Sequence, residues 1–198
     1  MRLLKRIIKK SLKIPYCFVR WLILQPFCIV FYDRKYLKGR WFDDGIFSLG
    51  WDWCWVDVWH RIFFGKHLFI RHPVSPYIDC TAEIIFHPDD LNNLNGSGNY
   101  FQGFDGGRIT IGKGSYIAKN VGIITVNHDL NNPDLHQEPK GVILGEQCWI
   151  GMNAMILPGV HLGPHTIVGA GAVVTKSFSE GWCVVAGNPA RKIKEIRL

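Results

Sequence analysis

A repeat of six residues constrains the fold of this chain more than any other feature of its sequence. Six consecutive units from residue 144 each begin with an aliphatic residue, and glycine takes the second position in four of them. The units are LGEQCW, IGMNAM, ILPGVH, LGPHTI, VGAGAV and VTKSFS, and IGKGSY, IAKNVG and IITVNH (111–128) and the weaker IDCTAE (78–83) share the pattern upstream. A period of six suits neither an amphipathic helix nor an alternating strand, but it suits a solenoid of short flat faces separated by corners. We therefore predict a parallel β-helix in which the aliphatic residue points inward, glycine forms the tight corner and the small fifth residue fits the crowded interior.

Two segments interrupt the repeat. Residues 84–110 are irregular and rich in Asn, Gly and Asp, which predicts wider coils or loops. The polar excursion 129–141 begins directly after His128, where an apolar run breaks into Asn127, His128 and Asp129. Long excursions from a strict repeat usually line a site, although such a triplet can also end a strand, and an amide side chain can cap a loop.

The positive charge of the chain is concentrated in an N-terminal arm. Residues 1–40 hold 11 Lys or Arg and one acidic residue, whereas the other 158 residues hold 12 basic and 15 acidic residues. In MRLLKRIIKKSLK, apolar residues recur at helical spacing between basic ones, which is typical of an interfacial amphipathic helix. The next stretch, 14–32, carries only Arg20 and is about long enough to span a bilayer. Because that charge and two prolines disfavour a span, we expect residues 1–32 to insert shallowly into an anionic membrane surface.

Other readings of the arm stay open at this stage. A basic segment can bind nucleic acid, but the apolar content of this one favours lipid, and we expect no nucleic-acid partner. The arm can also pack on the body of the protein or on a neighbouring subunit. A secretory signal peptide is less suited, since no convincing small-x-small cleavage site follows the apolar run.

Residues 41–77 form an aromatic-rich segment between the arm and the repeats. Its tryptophans are Trp41, Trp51, Trp53, Trp55 and Trp59. We predict a helical or irregular cap over the open end of the solenoid, with an aromatic substrate platform as the alternative. The six cysteines form no CxxC pair and no metal-ligand cluster with histidine, which indicates reduced thiols in a cytoplasmic protein.

The repeats and their flanks resemble the hexapeptide-repeat acyltransferases, closest to the maltose, galactoside and surface-polysaccharide O-acetyltransferases. The resemblance covers residues 78–195 and is carried by ITIGKGSYIAKNVGIITVNHD, ILGEQCWIGMNAMILPGVHLGPHTIVGAGAVVTK and AGNPARKI. It implies an all-β fold, a left-handed parallel β-helix over 78–188, with a C-terminal tail containing a short helix over 189–198. It also implies a homotrimer that transfers acetyl from acetyl-CoA directly to an acceptor hydroxyl in a cleft between subunits.

The same resemblance implies the residues of the acceptor site. A histidine that begins the projecting loop acts as general base, and His128 occupies that place. A sugar hydroxyl is a weak nucleophile, and an imidazole with an ordinary pKa near ~6.5 can take its proton at neutral pH, while backbone N–H groups stabilise the oxyanion. Asp105 matches an acid that contacts the sugar, although it also fits a turn before two glycines. Asn127 and Asn99 are further acceptor contacts, and the spacing around Asn99 departs slightly from the family pattern.

The resemblance places acetyl-CoA along the later coils and the tail. The matching positions are Gly151, Met152, Ala170, Thr175, Lys176, Arg191 and Lys194. Arg191, assisted by Lys194, is expected at the nucleotide phosphates, for which a cation is the suitable partner. We expect no metal. Zinc carbonic anhydrases share the superfamily fold, but His136, His161 and His165, with or without His128, match their three histidines only loosely.

Together these features predict an O-acetyltransferase for a sugar hydroxyl of a cell-surface polysaccharide or its lipid-linked precursor. The enzyme would be cytoplasmic and peripheral on the inner face of the cell membrane. N-acetylation of an amino sugar or a xenobiotic is the alternative reaction. A non-catalytic β-helix scaffold that binds glycans is the alternative of a different class.

Overall fold

The chain folds into two compact units, a helical unit of residues 1–74 and a solenoid unit of residues 75–198. The structure, a computed structural model, describes residues 2–104 and 106–196, with side chains from residue 14 onward. The helical unit contains the predicted basic arm together with most of the aromatic segment 41–77. The solenoid unit contains the repeats and the C-terminal tail.

Two long helices form most of the helical unit. Helix α1 (Arg2–Phe31) continues through both of its prolines, and helix α2 (Leu49–Phe64) ends at Gly65, which adopts the left-handed conformation that favours glycine. Short 3-10 helices, Arg34–Tyr36 and Gly45–Phe47, lie in the connection between them. Residues 14–31 of α1 are long and apolar enough to cross a membrane by length and composition alone.

The solenoid unit has three flat faces built from short strands. The first face contains β1 (Asp79–Cys80), β3 (Tyr100–Gln102), β6 (Gly122–Ile124), β9 (Met155–Ile156) and β12 (Val173–Val174). The second contains β2 (Glu83–Phe86), β4 (Arg108–Ile111), β7 (Val142–Leu144) and β10 (His161–Leu162). The third contains β5 (Tyr116–Ile117), β8 (Trp149–Ile150), β11 (Ile167–Val168), β13 (Cys183–Gly187) and β14 (Ala190–Glu195). Apart from β13 with β14, the paired strands are parallel and belong to successive coils, which confirms the predicted parallel solenoid.

The interior of the coil follows the six-residue period. The first residue of each unit is buried in the series Leu144, Ile150, Ile156, Leu162, Val168 and Val174. The fifth residue is buried as well, in Cys148, Ala154, Val160, Thr166 and Ala172. One aliphatic column and one column of mostly small residues therefore make up the core of each coil, as the sequence pattern predicts.

The glycines of the second column do not have the role that the sequence predicts for them. The left-handed backbone conformation occurs in the fourth column, at Gly114, Asn120, Gln147, Asn153, Gly159, His165 and Gly171. The second-column glycines instead allow coils to approach closely, because a Cβ on Gly163 would lie 2.2 Å from the Ser179 carbonyl oxygen and one on Gly145 would lie 2.6 Å from the Pro164 nitrogen. The prediction that these glycines form the corner is therefore wrong, and the requirement at these positions is for space.

Residues 84–110 continue the coil with longer connections, as predicted, because Ile84 pairs with Ile109, 25 residues later, whereas Leu144 pairs with Leu162, 18 residues later. A 3-10 helix, Pro88–Leu94, takes the place of a third-face strand in the first coil. Its Asn93 side chain accepts a hydrogen bond from the Ile117 N–H at 2.9 Å and donates one to the Ser115 carbonyl at 2.9 Å, as a neighbouring strand would. The polar side chain thus satisfies the backbone edge of β5.

The predicted short C-terminal helix is wrong, because residues 190–195 form strand β14. This strand pairs antiparallel with β13 after a turn that begins at Gly187, where φ is +97°. The last coil ends with the exposed backbone edge of β13, and pairing with the tail satisfies the hydrogen-bonding groups of that edge.

Candidate active site

His128 lies at the start of the projecting loop. Its side chain is exposed to solvent, and one of its ring nitrogens is held by a hydrogen bond. Its Nδ1 lies 2.6 Å from the carbonyl oxygen of Pro133. A carbonyl can only accept a hydrogen bond, so Nδ1 carries the proton, and in the neutral ring Nε2 holds the free lone pair. The loop's own backbone thereby sets the tautomer that a general base requires.

The loop that holds this carbonyl is itself ordered by hydrogen bonds. Its two arms pair in an antiparallel bridge between His128 and His136, and the Gln137 N–H donates to the Asn127 carbonyl at 2.9 Å. At the tip, the Asp129 carboxylate accepts from the Asn131 and Asn132 N–H groups at 2.8 and 3.0 Å. Asp129 therefore stabilises the turn that precedes Pro133 and has a structural role in positioning the base.

The base of the loop is tied to the coil by Gln102, a residue that the sequence argument did not single out. Its buried side-chain oxygen accepts from the Thr125 and Val126 N–H groups at 3.2 and 3.3 Å, and the Thr125 hydroxyl donates to the Gln102 carbonyl at 3.0 Å. These contacts fix the point at which the chain leaves the solenoid. Gln102 is the last residue of strand β3. Nothing in the spacing of the sequence predicts that it holds the base of the loop.

Two aromatic rings lie beside the candidate base. The His136 ring centroid is 4.8 Å from that of His128, and its other neighbour is Phe104, stacked at 5.2 Å with 2° between the ring planes. Phe104 and His136 are exposed, so this row of three rings lies on the surface of the unit. Asp105, predicted to contact the acceptor, lies outside the described residues.

The two predicted asparagines have different positions. Asn127 precedes His128, has an exposed side chain and contributes its carbonyl to the loop pairing described above. Asn99 is only 2% exposed, and its side-chain oxygen accepts from the Val121 N–H at 3.1 Å between adjacent coils. The structure therefore places Asn127 beside the base and Asn99 in the interior, away from the exposed surface.

The residues expected at acetyl-CoA divide between two corners of the solenoid. Gly151 and Met152 stack on the turn that contains Ala170, since the Gly151 N–H donates to the Val168 carbonyl at 2.8 Å and the Gly171 N–H donates to the Met152 carbonyl at 2.8 Å. Both turns lead from the third face to the first.

Arg191 belongs to the same corner as those turns. It pairs with Ala186, and Ala186 lies directly beneath Gly169. Lys194 lies further along β14 and lines a surface pocket of about 740 Å³ with Ile167 and Val184.

Thr175 and Lys176 lie at the other corner, where the first face leads to the second. Both are exposed and follow strand β12. The projecting loop leaves the coil at the corresponding corner after β6. Within one subunit, the base thus shares a corner with Thr175 and Lys176, while Gly151, Met152, Ala170 and Arg191 share the other.

The three histidines considered for zinc do not come together. His161 lies on strand β10, whereas His165 stacks on Trp182 with ring centroids 3.8 Å apart. His136 lies in the loop against Phe104. Among the described residues, no group of three His, Cys, Asp or Glu is arranged to hold a metal ion.

Comparison with known proteins identifies the repeat and its relatives. Residues 141–176 match the family described as bacterial transferase hexapeptide (six repeats). A provisionally named acetyltransferase of Dictyostelium discoideum is 40% identical over 149 residues, which cover 71% of this chain and 76% of the relative. WcaF of Escherichia coli strain K12, a provisionally named colanic acid biosynthesis acetyltransferase, is 36% identical over 134 residues, which cover 66% of this chain and 68% of the relative.

A solved structure of galactoside acetyltransferase in complex with coenzyme A is also similar. It has a TM-score of 0.51 and 28% identity, covering 63% of this chain and 62% of that chain. The chain spans less than two thirds of the length of several curated relatives that it matches. The parallel coil, its six-residue repeat and the extent of these similarities show that the chain belongs to the hexapeptide-repeat acyltransferase family.

Proposed function

We propose that this protein transfers an acetyl group from acetyl-CoA to a sugar hydroxyl, of a cell-surface polysaccharide or its lipid-linked precursor. The observation that carries the proposal is the fixed tautomer of His128, which leaves Nε2 able to accept a proton at the surface of the unit. The family membership and the names of the relatives support the acetyltransferase class. WcaF, named for colanic acid biosynthesis, supports a polysaccharide acceptor.

The reaction needs one base and no covalent enzyme intermediate. Nε2 of His128 takes the proton of the acceptor hydroxyl as its oxygen attacks the thioester carbonyl carbon. The carbon–sulfur bond then breaks, the thiolate leaves, and the imidazolium returns the proton to it, giving an acetate ester and free CoA. General-base assistance of this kind contributes about 10²–10⁴-fold in rate.

We further propose that the active enzyme is a homotrimer of left-handed coils, as in the family. The candidate residues lie at two corners of one subunit, which suits a cleft shared by adjacent subunits. In that cleft, Gly151, Met152 and Ala170 would line the path of acetyl-CoA through backbone groups, with Thr175 and Lys176 beside the base. Arg191 and Lys194 are exposed on β14, where their charges can meet the nucleotide phosphates.

The acceptor would bind beside the loop, with Asn127 and Asp105 as its proposed polar contacts. We propose a cytoplasmic location on the inner face of the cell membrane, where lipid-linked precursors are found. The basic, apolar arm of residues 1–32 supports this location, and three arms in a trimer would add by avidity.

The test replaces His128 and follows release of CoA with sugar acceptors. His128→Ala and His128→Gln are expected to lower kcat by about 10²–10⁴-fold, with coenzyme A binding by calorimetry unchanged. His161→Ala is the matched control, because His161 is an exposed solenoid histidine outside the loop. Near-wild-type turnover in the His128 variants would show that the base is assigned wrongly.

The choice of acceptor requires a separate measurement. Matched sugars that differ only in a hydroxyl or an amino group at one carbon are compared as acceptors. Preference for the hydroxyl sugar supports O-acetylation, and preference for the amino sugar contradicts it. Failure of the wild-type protein to bind coenzyme A would contradict the proposal that it is an enzyme and would support the alternative of a non-catalytic scaffold.

A further inference from the structure

The outer surface of α1 is apolar along its described length. Between residues 14 and 31, ten side chains are exposed, and none of them is charged. They are Ile14, Pro15, Tyr16, Phe18, Val19, Leu22, Ile23, Pro26, Ile29 and Val30. Helices on the surface of a water-soluble domain normally carry charged and polar residues on their outer side. A continuous apolar outer surface indicates that something other than water covers it.

Helix α2 has the same character, although the sequence argument placed it in a cap. Leu49, Val56 and Phe63 are exposed and recur every seven residues, so they form one stripe along the helix. Beyond the end of the helix, the side chain of Phe69 is 96% exposed. Both helices of the unit thus present apolar surface outward.

From residue 14 onward, every Lys, Arg, Asp and Glu side chain of the two helices belongs to an ion pair within the unit. Buried Arg20 of α1 forms an ion pair with Asp52 of α2. Buried Arg61 pairs with buried Asp57 at 2.9 Å, and the Tyr32 hydroxyl donates to the same carboxylate at 2.7 Å. The described charges of the two helices are therefore held in ion pairs, and their outer surface is largely apolar, which is an arrangement suited to an apolar solvent.

The course of the chain decides how this unit can meet a bilayer. Trp21 contacts Trp51, and Phe27 contacts Trp59, with ring centroids 6.4 and 6.0 Å apart. Rising residue numbers in α1 thus meet rising numbers in α2, so the two helices run in the same direction. The connection of residues 32–48 must then return along the length of α2.

That returning connection is too charged to cross hydrocarbon. Its exposed residues include Arg34, Lys35, Lys38, Arg40, Asp43 and Asp44. The connection is hydrogen-bonded near both of its ends. The Asp33 N–H donates to the Arg71 carbonyl at 2.8 Å, and the Gly50 N–H donates to the Trp41 carbonyl at 2.9 Å. If both helices spanned the bilayer, these charges would lie within it at several kcal/mol each. The pair must therefore lie along the membrane surface, with the connection toward water.

We propose that the helical unit is an in-plane membrane module in which α2, together with α1, embeds its outer face in the acyl chains of one leaflet while residues 33–44 face the headgroups. This inference extends the membrane location of the proposed function, which rests on residues 1–32 alone. Residues 33–44 carry four basic and three acidic side chains, and Asp33 is paired with Arg71, so anionic headgroups are the complement of the remaining charge. Half-buried tryptophans, which favour the membrane interface, occur on α2 at positions 53, 55 and 59.

The experiment measures partition of the full-length protein onto vesicles of equal parts phosphatidylcholine and phosphatidylglycerol. The α2 variant Val56→Glu/Phe63→Glu is expected to lower the bound-to-free ratio by about 100-fold, about tenfold for each large apolar side chain removed from lipid. The α1 variant Leu22→Glu/Ile29→Glu is expected to lower it similarly. Tyr77→Glu in the solenoid unit is the matched control, because Tyr77 is 73% exposed and Phe63 is 72% exposed. It should change the ratio by less than about twofold.

A second measurement reports orientation without removing any apolar contact. Spin labels at Val56→Cys and at Lys38→Cys react selectively, because the six native cysteines are buried. On vesicles, the label at 56 should collide with oxygen more than with a water-soluble nickel chelate, and the label at 38 should show the reverse. The opposite order, or equal access to nickel at both, overturns the in-plane arrangement.

The outcomes separate this inference from the proposal on which it rests. Loss of binding in the α1 variant with full binding in the α2 variant leaves the membrane location standing and overturns the role of α2. Absence of vesicle binding by the wild-type protein overturns both. Unchanged vesicle binding with a smaller oligomer by light scattering in the α2 variant overturns the inference, because the face then joins copies of this chain. Turnover of a soluble sugar acceptor by both variants shows that the solenoid is folded.

Discussion

The helical unit and the solenoid unit differ in where they place charged residues and large apolar residues. In the solenoid, aliphatic columns such as Ile150 and Ile156 fill the coil, and His128 lies outside on a polar loop. In the helical unit, an ion pair between Asp57 and Arg61 is buried, and residues such as Phe63 are exposed. Buried charges are costly unless they are paired and hydrogen-bonded, and a continuous apolar exterior indicates surroundings less polar than water. The contrast indicates that the two units meet different surroundings.

In both units, buried polar side chains form hydrogen bonds with backbone groups of neighbouring segments. All five N–H donors of Arg61 are used, on the Asp57 carboxylate and on the carbonyls of His67, Ile70 and His72. In the solenoid, buried Asn93 and Gln102 satisfy backbone groups of neighbouring strands in a similar way. The difference is that the solenoid places buried amides, and the Asp90 carboxylate, against backbone groups, whereas the helical unit also pairs buried charges with one another.

The largest predicted effect is the loss of stability when the buried ion pair between Asp57 and Arg61 is broken. Arg61→Ala should lower the free energy of unfolding of the helical unit by about 3–5 kcal/mol, because it leaves the Asp57 carboxylate buried without its partner. Arg71→Ala is the control, since Arg71 and Asp33 form an exposed pair, and it should cost about 0–1 kcal/mol. Urea unfolding followed by tryptophan fluorescence reports on this unit, because six of the eight tryptophans belong to it. Equal losses in the two variants would contradict the contrast between buried and exposed charge.

The next prediction uses pH to separate the units. Burial, assisted by the Arg61 charge, lowers the pKa of His72 to about 4 against the opposing influence of the Pro73 carbonyl and Asp57. This folded pKa lies below that of an unfolded histidine. The stability that neutral His72 contributes is therefore fully present above about pH 6.5 and is lost as pH falls toward 4. The loss in free energy of unfolding is about 3 kcal/mol.

Asp57 adds to the loss at still lower pH. Burial would raise the pKa of its carboxyl, but His67, Arg61 and Tyr32 together lower it, so this carboxyl stabilises the fold until pH falls below the ordinary range for Asp. Urea unfolding at pH 7 and pH 4.5, with His72→Gln as the control, measures the effect of His72. The described histidines of the solenoid unit are not buried, so circular dichroism of the strands should change less over this range. A pH-independent midpoint in the wild-type helical unit would contradict the prediction.

The third prediction concerns spacing between the coils of the solenoid. Gly163→Ala should lower the free energy of unfolding by about 2 kcal/mol, since the new Cβ would lie 2.2 Å from the Ser179 carbonyl oxygen. Gly171→Ala has open space around its Cβ but a φ of +69°, so its cost of about 1 kcal/mol comes from backbone strain alone. Thermal unfolding followed by circular dichroism compares the two. A larger loss at Gly171 would show that corner conformation, not coil spacing, dominates.

The solenoid was predictable from the sequence because its interior repeats in the side chains themselves. Burial of Leu144, Ile150 and their successors follows directly from the six-residue period, and the loop after His128 was visible as a break in it. The family resemblance supplied the chemistry. The period does not reveal which backbone position turns, because residues as different as Asn153, Gln147 and His165 adopt the left-handed conformation.

Features that depend on backbone partners were not predictable. The Pro133 carbonyl that fixes the His128 tautomer belongs to a residue whose side chain carries no polar signal. Strand β14 was mistaken for a helix because its edge pairing depends on β13 and not on its own pattern. The apolar exterior of α2 was not predictable either, since the sequence shows that aromatic residues are abundant but not which way they face.

The smallest predicted effect concerns the aromatic rings beside His128 on the surface of the solenoid. His136→Ala should lower kcat by about fivefold, because the His128 ring loses the neighbour that separates it from Phe104. His136→Phe restores the ring and should keep kcat within about twofold of wild type, with the pH profile of kcat/KM unchanged. If the Phe variant instead loses activity with a changed pH profile, His136 exchanges protons with the substrate or the base. Rescue by the neutral ring shows that His136 acts by packing, so contacts between rings add to the hydrogen bond with the Pro133 carbonyl in positioning His128.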